Sequence, residues 1–345
     1  MIDMTGPKLP DGRKRGTLQS GHSGPTQHAP AASPLLPVVV MPELLGAAVA
    51  KGGKSCRPGL LQCRDCRGQF TVTTRTPLHG TKLDRRIWIC AMFLVLTSSK
   101  GISSVVMARL LGVNQKTAWM LGHRIREMMD EGHGELMPLE EEVEVDDGYV
   151  GGAPKSLKQD YNPPGRGTRK LMVFVAASRD GQGRAKVVPG GTGKTLDAVL
   201  ETWIVRENTT LMTDGLPVQT GIGETTAEHH KVIHKNKEYT NPETGAHVNT
   251  AEAVMSNVQR ALGGVCHDLG RKHLQRYLDE IIWRWNHREP EREIIKEWTT
   301  KGGEEREKRI TIWKPVPVVP QMRLLLQGVV GKQMRRSQNY GLCWP

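Results

Sequence analysis

The segment from Glu144 to Gly152 constrains the fold of this chain more than any other. Carboxylates alternate with valines as far as Asp146, which is the period of a half-buried β-strand, and the run stops at glycines. An acid at the end of a strand is held rigidly and can point at a metal ion. Because Asp-Gly after a strand is more often a turn than a ligand, the metal interpretation requires further carboxylates on neighbouring elements.

Two later segments carry acids that could meet Asp146. Residues 209–214 predict a short strand that again ends in Asp-Gly, at Asp214. A helix is predicted to begin near Asn249, with Thr250 as its cap and Glu252 in its first turn. If the two strands are neighbours in one sheet, the three carboxylates can converge.

Apolar runs between these acids predict the rest of the domain. Residues 171–177 and 184–188 predict buried strands, and residues 195–205 have the spacing of a helix. The glycines at 190–195 suggest a phosphate-binding loop, but Val188 stands where that signature needs its first glycine, which excludes the motif. The order of elements predicts an α/β fold with a mixed sheet.

Three converging carboxylates have a defined chemistry. Magnesium takes oxygen ligands and keeps several waters, so phosphate oxygens can complete its shell. Two such ions about 4 Å apart can activate an attacking water or 3′-hydroxyl and stabilise the leaving oxygen. Asp146, Asp214 and Glu252 therefore predict phosphodiester chemistry with two Mg²⁺ or Mn²⁺ ions.

Residues 84–130 have the periodicity of helices. Ser103 and Ser104 are good caps for a helix over 105–111, and a Gly-containing turn separates it from a second helix over 115–129. Any helical hairpin can imitate a helix-turn-helix, but the positive charge of the second helix favours a DNA-binding one. The candidate DNA contacts are Gln115, Lys116, Thr117, Arg124 and Arg126. An acidic linker is predicted over 128–142.

Only two of the six cysteines, Cys63 and Cys66, have metal-ligand spacing. A structural zinc site needs four thiolate or imidazole ligands in a tetrahedron. Upstream there is only Cys56, and neither His28 nor His79 has a convincing spacing. The alternatives are a zinc ribbon and a ribbon-shaped hairpin without its metal.

The charge balance indicates an anionic partner. Lysine and arginine number 48 against 36 acids, for a net charge of +12 and a pI near 9.5, which favours nucleic acid, although ribosomal and membrane-surface proteins can share this balance. Residues 1–54 are rich in Gly, Pro and Ser, and predict a disordered basic arm. Without an apolar run of about 18 residues, the sequence predicts a soluble intracellular protein with no membrane partner.

A series of short motifs runs in one order along the chain. They lie at 63–70, 79–83, 97–103, 111–113, 116–119, 123–126, 143–146, 149–152, 213–214, 247–252, 273–280 and 286–288, with a weaker echo at 324–336. Together they resemble the DDE transposases of bacterial insertion sequences, specifically the ISXO-like group. The resemblance runs from about Arg57 to Arg288.

This resemblance implies an RNase H-like catalytic core with a mixed sheet over 140–288. A degenerate zinc ribbon (55–80) and a helix-turn-helix region (81–130) would precede it, and a charged insertion and C-terminal tail (289–345) would follow. Asp146 and Asp214 match the two catalytic aspartates, and Asn249 with Glu252 falls on the third active-site block. Of that pair Glu252 is favoured as the ligand because a carboxylate suits magnesium better.

The implied activity is metal-dependent cleavage and strand transfer at transposon ends. Its partners would be transposon-end and target DNA, its location the bacterial cytoplasm at the nucleoid, and its DNA-bound form a homo-oligomer. The sequence departs from the family pattern at several positions: the first CxxC is missing, Asp147 replaces a Glu, Val254 and Met255 replace Phe-Trp, and Gln259 replaces a basic residue.

These departures leave two other hypotheses open. In the first, the chain is a catalytically impaired relic that only binds DNA. In the second, it is a housekeeping nuclease of the same fold, which would cleave without regard to end sequence.

Overall fold

In a computed structural model, the structure describes residues 49–51, 60–63, 69–130, 137–151, 170–214, 226–232, 240, 245–265, 269–270, 272–299, 305–327, 329, 332, 334–336 and 342–343. All of them lie in the second of two units, residues 37–345. Nearly all of the predicted basic arm lies outside the described residues. So do Cys66 and the side chain of Cys63, and with them the predicted zinc site.

Three helices follow a small sheet of strands β1 (Val49–Lys51), β2 (Leu61–Cys63) and β3 (Gln69–Phe70). They are α1 (Arg85–Thr97), α2 (Ser104–Leu111) and α3 (Gln115–Met129). Ser103 caps α2 through its side chain, and Asn114 caps α3 in the same way. Between them Gly112 takes φ +65°, the left-handed conformation that ends α2 and that glycine adopts without strain.

The main sheet has five strands in the order β6-β5-β4-β7-β8. These strands are β4 (Leu139–Val150), β5 (Leu171–Ser178), β6 (Gly183–Val188), β7 (Ile204–Thr213) and β8 (Glu228–Lys231). The pairs β4–β5 and β5–β6 are antiparallel, whereas β4–β7 and β7–β8 are parallel. The predicted α/β fold with a mixed sheet is confirmed.

Helices cover both faces of this sheet. On one face, α4 (Gly193–Leu200) packs against Phe174 and Ala176 of β5. On the other face, α5 (Asn249–Val265) and α6 (Leu274–Asn286) pack against Val173 and Val175. Because β5 is buried on both sides, its sequence is a continuous apolar run rather than an alternating one.

Two predicted boundaries are wrong. The helix expected over 195–205 ends at Leu200, because Trp203 turns into the core, where it stacks on Phe174 at 5.7 Å between ring centroids. The β-branched pair Ile204 and Val205 then starts β7. The linker predicted over 128–142 is wrong at its end, because β4 already begins at Leu139, which is buried.

The predicted charged insertion after α6 forms a two-stranded ribbon. Strands β9 (Arg288–Thr299) and β10 (Glu305–Pro315) pair antiparallel along their length. Helix α7 (Val318–Gln327) follows and packs with α1 and α3, and two short strands, β11 (Arg335–Arg336) and β12 (Leu342–Cys343), pair near the end. None of the helices in the described ranges is long and apolar enough to cross a membrane.

Candidate active site

The two predicted aspartates lie on neighbouring strands. In the parallel pair of β4 and β7, Val143 stands opposite Leu211 and Glu144 opposite Met212. The same register, continued by two residues, sets Asp146 opposite Asp214, which directly follows the last residue of β7. The condition for the carboxylates to meet, adjacency of the two strands, is therefore fulfilled.

Helix α5 brings Glu252 over the same strand. Side chains alternate along a strand, so positions 144, 146 and 148 share one face of β4. Glu144 on this face accepts hydrogen bonds from the N-terminus of α5, and a Cβ at Gly148 would lie only 2.8 Å from Sδ of Met255. Asp146, midway between them, faces the intervening turn of α5, which carries Glu252.

The electrostatics of Asp146 agree with this placement. Burial, together with the negative charges of Asp147, Asp214 and Glu252, raises the pKa of its carboxyl to about 7. A hydrogen bond of 2.8 Å from the backbone N of Asp147 to Oδ1 opposes this shift. Asp146 therefore interacts with both of its predicted partners, and like charges make the cluster costly to ionise.

Glu144 is a buried carboxylate that the sequence analysis did not single out. Its side chain is fully buried. Oε2 accepts hydrogen bonds from the backbone N of Thr250 at 2.5 Å and of Ala251 at 3.1 Å, and Oε1 accepts one from the Thr250 hydroxyl at 2.9 Å. This carboxylate therefore caps α5, and the prediction that Thr250 is the cap is wrong, because Thr250 donates from inside the helix.

Basic groups complete the surroundings of Glu144. Nε of Arg179 and Nδ1 of His247 lie 3.3 Å and 3.1 Å from Oε1. Burial alone would raise the pKa of Glu144, but His247, the Ala251 N–H and the Thr250 hydroxyl lower it overall. Glu144 is thus held ionised two residues before Asp146. Its period-two spacing from Asp146 was the available sequence signal for a shared face.

The donor chemistry of the acidic cluster suits a divalent cation. Three carboxylates supply oxygen ligands, and the raised pKa of Asp146 reflects a repulsion that a cation would relieve. Asn249 and Glu252 are exposed at the start of α5. Among the described residues, however, no group of three or more acidic, histidine or cysteine side chains is arranged to hold one ion together.

The predicted DNA contacts at the start of α3 are on the surface. Gln115 and Lys116 are exposed, and Nε2 of Gln115 donates to the hydroxyl of Ser104 at 2.9 Å. Thr117 is half-buried, and its backbone N donates to the Asn114 cap. Arg124 is half-buried further along the helix, where burial lowers its pKa.

Arg126 is placed differently from the sequence expectation. Its guanidinium is buried, with Nε 2.5 Å from Oε2 of Glu280 in α6, and it lies over the ring of Tyr277. The neighbouring Glu127 pairs with Arg276 at 2.6 Å. The expectation that Arg126 contacts DNA is corrected, because a cation neutralised inside the protein is not available to a phosphate.

Fold and site together define an α/β domain with an acidic cluster at one end of a mixed sheet. Residues 138–286 match the family of the ISXO2-like transposase domain. This match confirms that the chain resembles the ISXO-like DDE transposases. Among curated proteins, no sequence matches the chain.

Two solved structures are similar to the chain at a low level. One is the Mos1 transposase paired-end complex with left transposon end, with a TM-score of 0.25. The other is a pre-cleavage Mos1 transpososome, with a TM-score of 0.24. Each is 14% identical and covers 61% of this chain and 77% of its own.

Proposed function

We propose that this protein is the transposase of an insertion sequence, which cleaves DNA at transposon ends and transfers the cut strand to target DNA. The observation that carries the proposal is the electrostatic interaction between acids of β4, of α5 and of the residue that follows β7. Asp146 is adjacent in register to Asp214 and is coupled electrostatically to both Asp214 and Glu252. The match of residues 138–286 to a transposase domain family supports the same reaction class.

In this proposal Asp146, Asp214 and Glu252 hold two Mg²⁺ or Mn²⁺ ions, with Asn249 beside them. Bound ions of this kind supply activation of the attacking oxygen and stabilisation of the leaving oxygen. The chain itself orients the carboxylates: the Asp147 N–H holds Oδ1 of Asp146, and Glu144 holds the start of α5. Ion binding would require Asp146 to release its proton, and burial and neighbouring acids raise the pKa of that carboxyl to about 7 in the metal-free protein.

An RNase H-like core is the fold that we infer for this domain. Its support is the strand arrangement: three antiparallel neighbours, β6, β5 and β4, followed by β7 and β8 parallel to β4. Sites in open α/β sheets form at the ends of strands, and Asp214 follows the end of β7. This places Asp214 where a substrate can reach it, with Asp146 beside it inside β4.

DNA binding is assigned to α2 and α3 together with the positive charge of the chain. The two helices are joined by the short turn 112–114, and Gln115 and Lys116 are exposed at the start of α3. A net charge of +12 favours binding to a polyanion. We propose transposon ends and target DNA as the partners, with a homo-oligomer forming on DNA in the cytoplasm near the nucleoid.

The test is cleavage and strand transfer on DNA that carries the terminal repeats flanking the gene, with Mg²⁺ or Mn²⁺. We expect Asp146→Asn and Asp214→Asn to abolish both reactions while DNA binding persists. Asp197→Asn, in an aspartate of α4 paired with Arg206 away from the cluster, is the matched control and retains activity. Cleavage that survives loss of Asp146 would overturn the proposal.

A second candidate function is DNA binding without chemistry. It is favoured by the exposed position of Glu252 and by the absence, among the described side chains, of an arranged ligand group. Specific binding to terminal repeats with no cleavage in either metal would establish it. Cleavage indifferent to end sequence would instead indicate a nuclease.

A further inference from the structure

A cleft of about 280 Å³ separates the predicted helix-turn-helix from the catalytic domain. One wall comes from the start of α2 and from α3 between residues 118 and 126, and the other comes from the end of α5 and the start of α6. Its lining includes Ser104, Trp119, His123, Arg126, His273 and Tyr277. The cleft is separate from the acidic cluster, and the proposed cleavage chemistry uses none of these residues.

His123 is the unusual residue of this cleft. Its side chain is fully buried, yet neither Nδ1 nor Nε2 has a hydrogen-bond partner among the described parts of the chain. A buried polar group without a hydrogen-bond partner destabilises the folded state, so buried imidazoles normally find a partner. His123 lines the cleft with both nitrogens unsatisfied, although neither is accessible to solvent, so a ligand in the cleft reaches them once the surrounding rings shift.

The charge state of His123 defines what it can offer. Burial, helped by the charges of Arg126, His273 and Arg276, lowers its pKa to about 2. The ring is thus neutral, with one N–H donor and one acceptor nitrogen. It can pair with a ligand edge that carries both an acceptor and a donor.

Three aromatic rings lie around His123 at different angles to its imidazole ring. Trp119 lies 4.2 Å from it between ring centroids, at an interplanar angle of 67°. His273 lies 4.8 Å away, and Tyr277 lies 5.6 Å away and nearly perpendicular. Such rings bind flat, unsaturated ligands by stacking and edge contacts.

The charges around the cleft exclude other ligand classes. A metal cation would be repelled by the same basic groups that keep His123 neutral. A phosphate would find these cations already paired, because Arg126 is bound to Glu280 and Arg276 to Glu127. A neutral planar ring with its own donors and acceptors remains, and nucleobases are such rings.

We propose that this cleft binds a single unpaired purine or pyrimidine base, stacked on Trp119 and hydrogen-bonded through its edge to His123. The base comes either from a free nucleotide or from a DNA strand in which it has left the helical stack. The second source rests on the proposed function, since it requires bound DNA. Binding of an isolated base does not.

The experiment titrates the full-length protein with dAMP, dGMP, dCMP and dTMP in a calorimeter, with 2-deoxyribose 5-phosphate as the ligand without a base. We expect at least one nucleotide to bind at least tenfold more tightly than the sugar phosphate. His123→Phe, which keeps the ring but removes both nitrogens, should weaken that binding about tenfold or more without lowering the melting temperature. Trp119→Ala should weaken it by a similar factor.

Phe93→Ala removes an exposed aromatic ring of α1 that is not part of the cleft, and it should leave binding unchanged. Equal binding of the sugar phosphate, or full binding by a folded His123→Phe protein, overturns the proposal. A second arm uses duplexes with 2-aminopurine near the terminal repeat, whose fluorescence rises when it unstacks. A rise that His123→Phe abolishes assigns DNA as the source, and nucleotide binding without such a rise assigns free nucleotides.

Failure of this proposal differs from failure of the proposed function. Nucleotide binding is measured without metal and without cleavage, and the acidic cluster is untouched in every variant used. Cleavage of transposon ends without nucleotide binding in the cleft would overturn the base-binding proposal alone. Nucleotide binding without cleavage of DNA would overturn the proposed transposase activity alone.

Discussion

The Glu144 carboxylate accepts a 2.5 Å hydrogen bond from the backbone N of Thr250, which is 106 residues further along the chain. A strand of the sheet thereby caps the helix that carries Glu252. A carboxylate at a helix N-terminus satisfies free N–H groups and interacts favourably with the helix dipole. The position of Glu252 over Asp146 therefore depends on a side chain that need not touch the substrate.

Glu144→Gln should destabilise the protein by about 2–4 kcal/mol at pH 7, because a buried amide replaces an acceptor of several hydrogen bonds and leaves donors unpaired. Since the pKa of Glu144 is lowered on folding, its contribution is present above the unfolded-state value and is lost as pH falls through the folded-state value. Urea unfolding at pH 7 and pH 4 measures this, and the difference from wild type should shrink at pH 4. Glu142→Gln, whose carboxylate is partly exposed although it also pairs with Arg179, is the control and should cost under about 1 kcal/mol.

Asp146→Asn should stabilise the metal-free protein at pH 8. The pKa of this carboxyl is raised to about 7 in the folded state, so wild type loses stability as pH rises from the usual value of 3.8 towards 7, and the amide does not. We expect a gain of about 1–2 kcal/mol at pH 8 and almost none at pH 4. Thermal melts at both values test this; a larger gain at pH 4 would contradict the shift.

At pH 8, magnesium should make the wild-type protein more stable than Asp146→Asn. If Asp146, Asp214 and Glu252 share ions, millimolar Mg²⁺ raises the melting temperature of wild type by mass action and raises that of Asp146→Asn less. Calcium, which also takes oxygen ligands, should act in the same direction. Equal shifts in the two proteins would argue against metal at this cluster.

Arg126→Met should cost about 3 kcal/mol, because it leaves Glu280 buried with one cation fewer. Arg109→Met, on the exposed side of α2, should cost under about 0.5 kcal/mol. DNA affinity per folded molecule should be unchanged in Arg126→Met. If DNA binding by Arg126→Met depended less on salt than binding by wild type, Arg126 would have to contact DNA after all.

Lys116→Ala should weaken DNA binding uniformly across sequences. A lysine that neutralises one phosphate displaces a counterion, so its loss should reduce the slope of log affinity against log salt by about 0.9. Gln115→Ala should instead change sequence preference and leave the slope intact. Fluorescence anisotropy between about 50 and 200 mM salt measures both; identical slopes for Lys116→Ala and wild type would remove Lys116 from the interface.

Gly148→Ala should displace α5 from the sheet, because the added Cβ would lie 2.8 Å from Sδ and 3.0 Å from Cε of Met255. We expect a loss of about 1–3 kcal/mol and of cleavage activity, since Glu252 moves with the helix. The double variant Gly148→Ala, Met255→Ala should recover part of both. Gly263→Ala, near the end of α5 with open space at its Cβ, is the control.

Local signals in the sequence predicted much of the fold. The bounds of α3 are those expected from the Gly112 turn and the apolar spacing, and β5 and β6 match within a residue. The neighbourhood of Asp146 and Asp214 followed from two acid-bearing strands, although β4 continues past Asp147 and Gly148 to Val150 instead of ending there. These features depend on residues close in sequence, which is why spacing alone revealed them.

Partners distant in sequence were not predictable in this way. The sequence pattern predicts that Glu144 is a solvated acid of a half-buried strand, and only the packing of α5 shows its role as a cap. Arg126 reads as a DNA contact until α6 supplies Glu280. In both cases the partner is far away in the sequence, and no local pattern links the two residues. Whether a charged side chain can be buried depends on that partner.

The crossed ion pairs between α3 and α6 also set a distance. Arg126 with Glu280 and Glu127 with Arg276 fasten the predicted recognition helix to the last helix of the catalytic domain. Under the proposed function, this fixed separation between α3 and the acidic cluster sets the cleavage position. The scissile bond lies a constant number of base pairs from the sequence that α3 recognises. One extra base pair in that interval would turn the phosphate by roughly a tenth of a helical turn, away from the carboxylates.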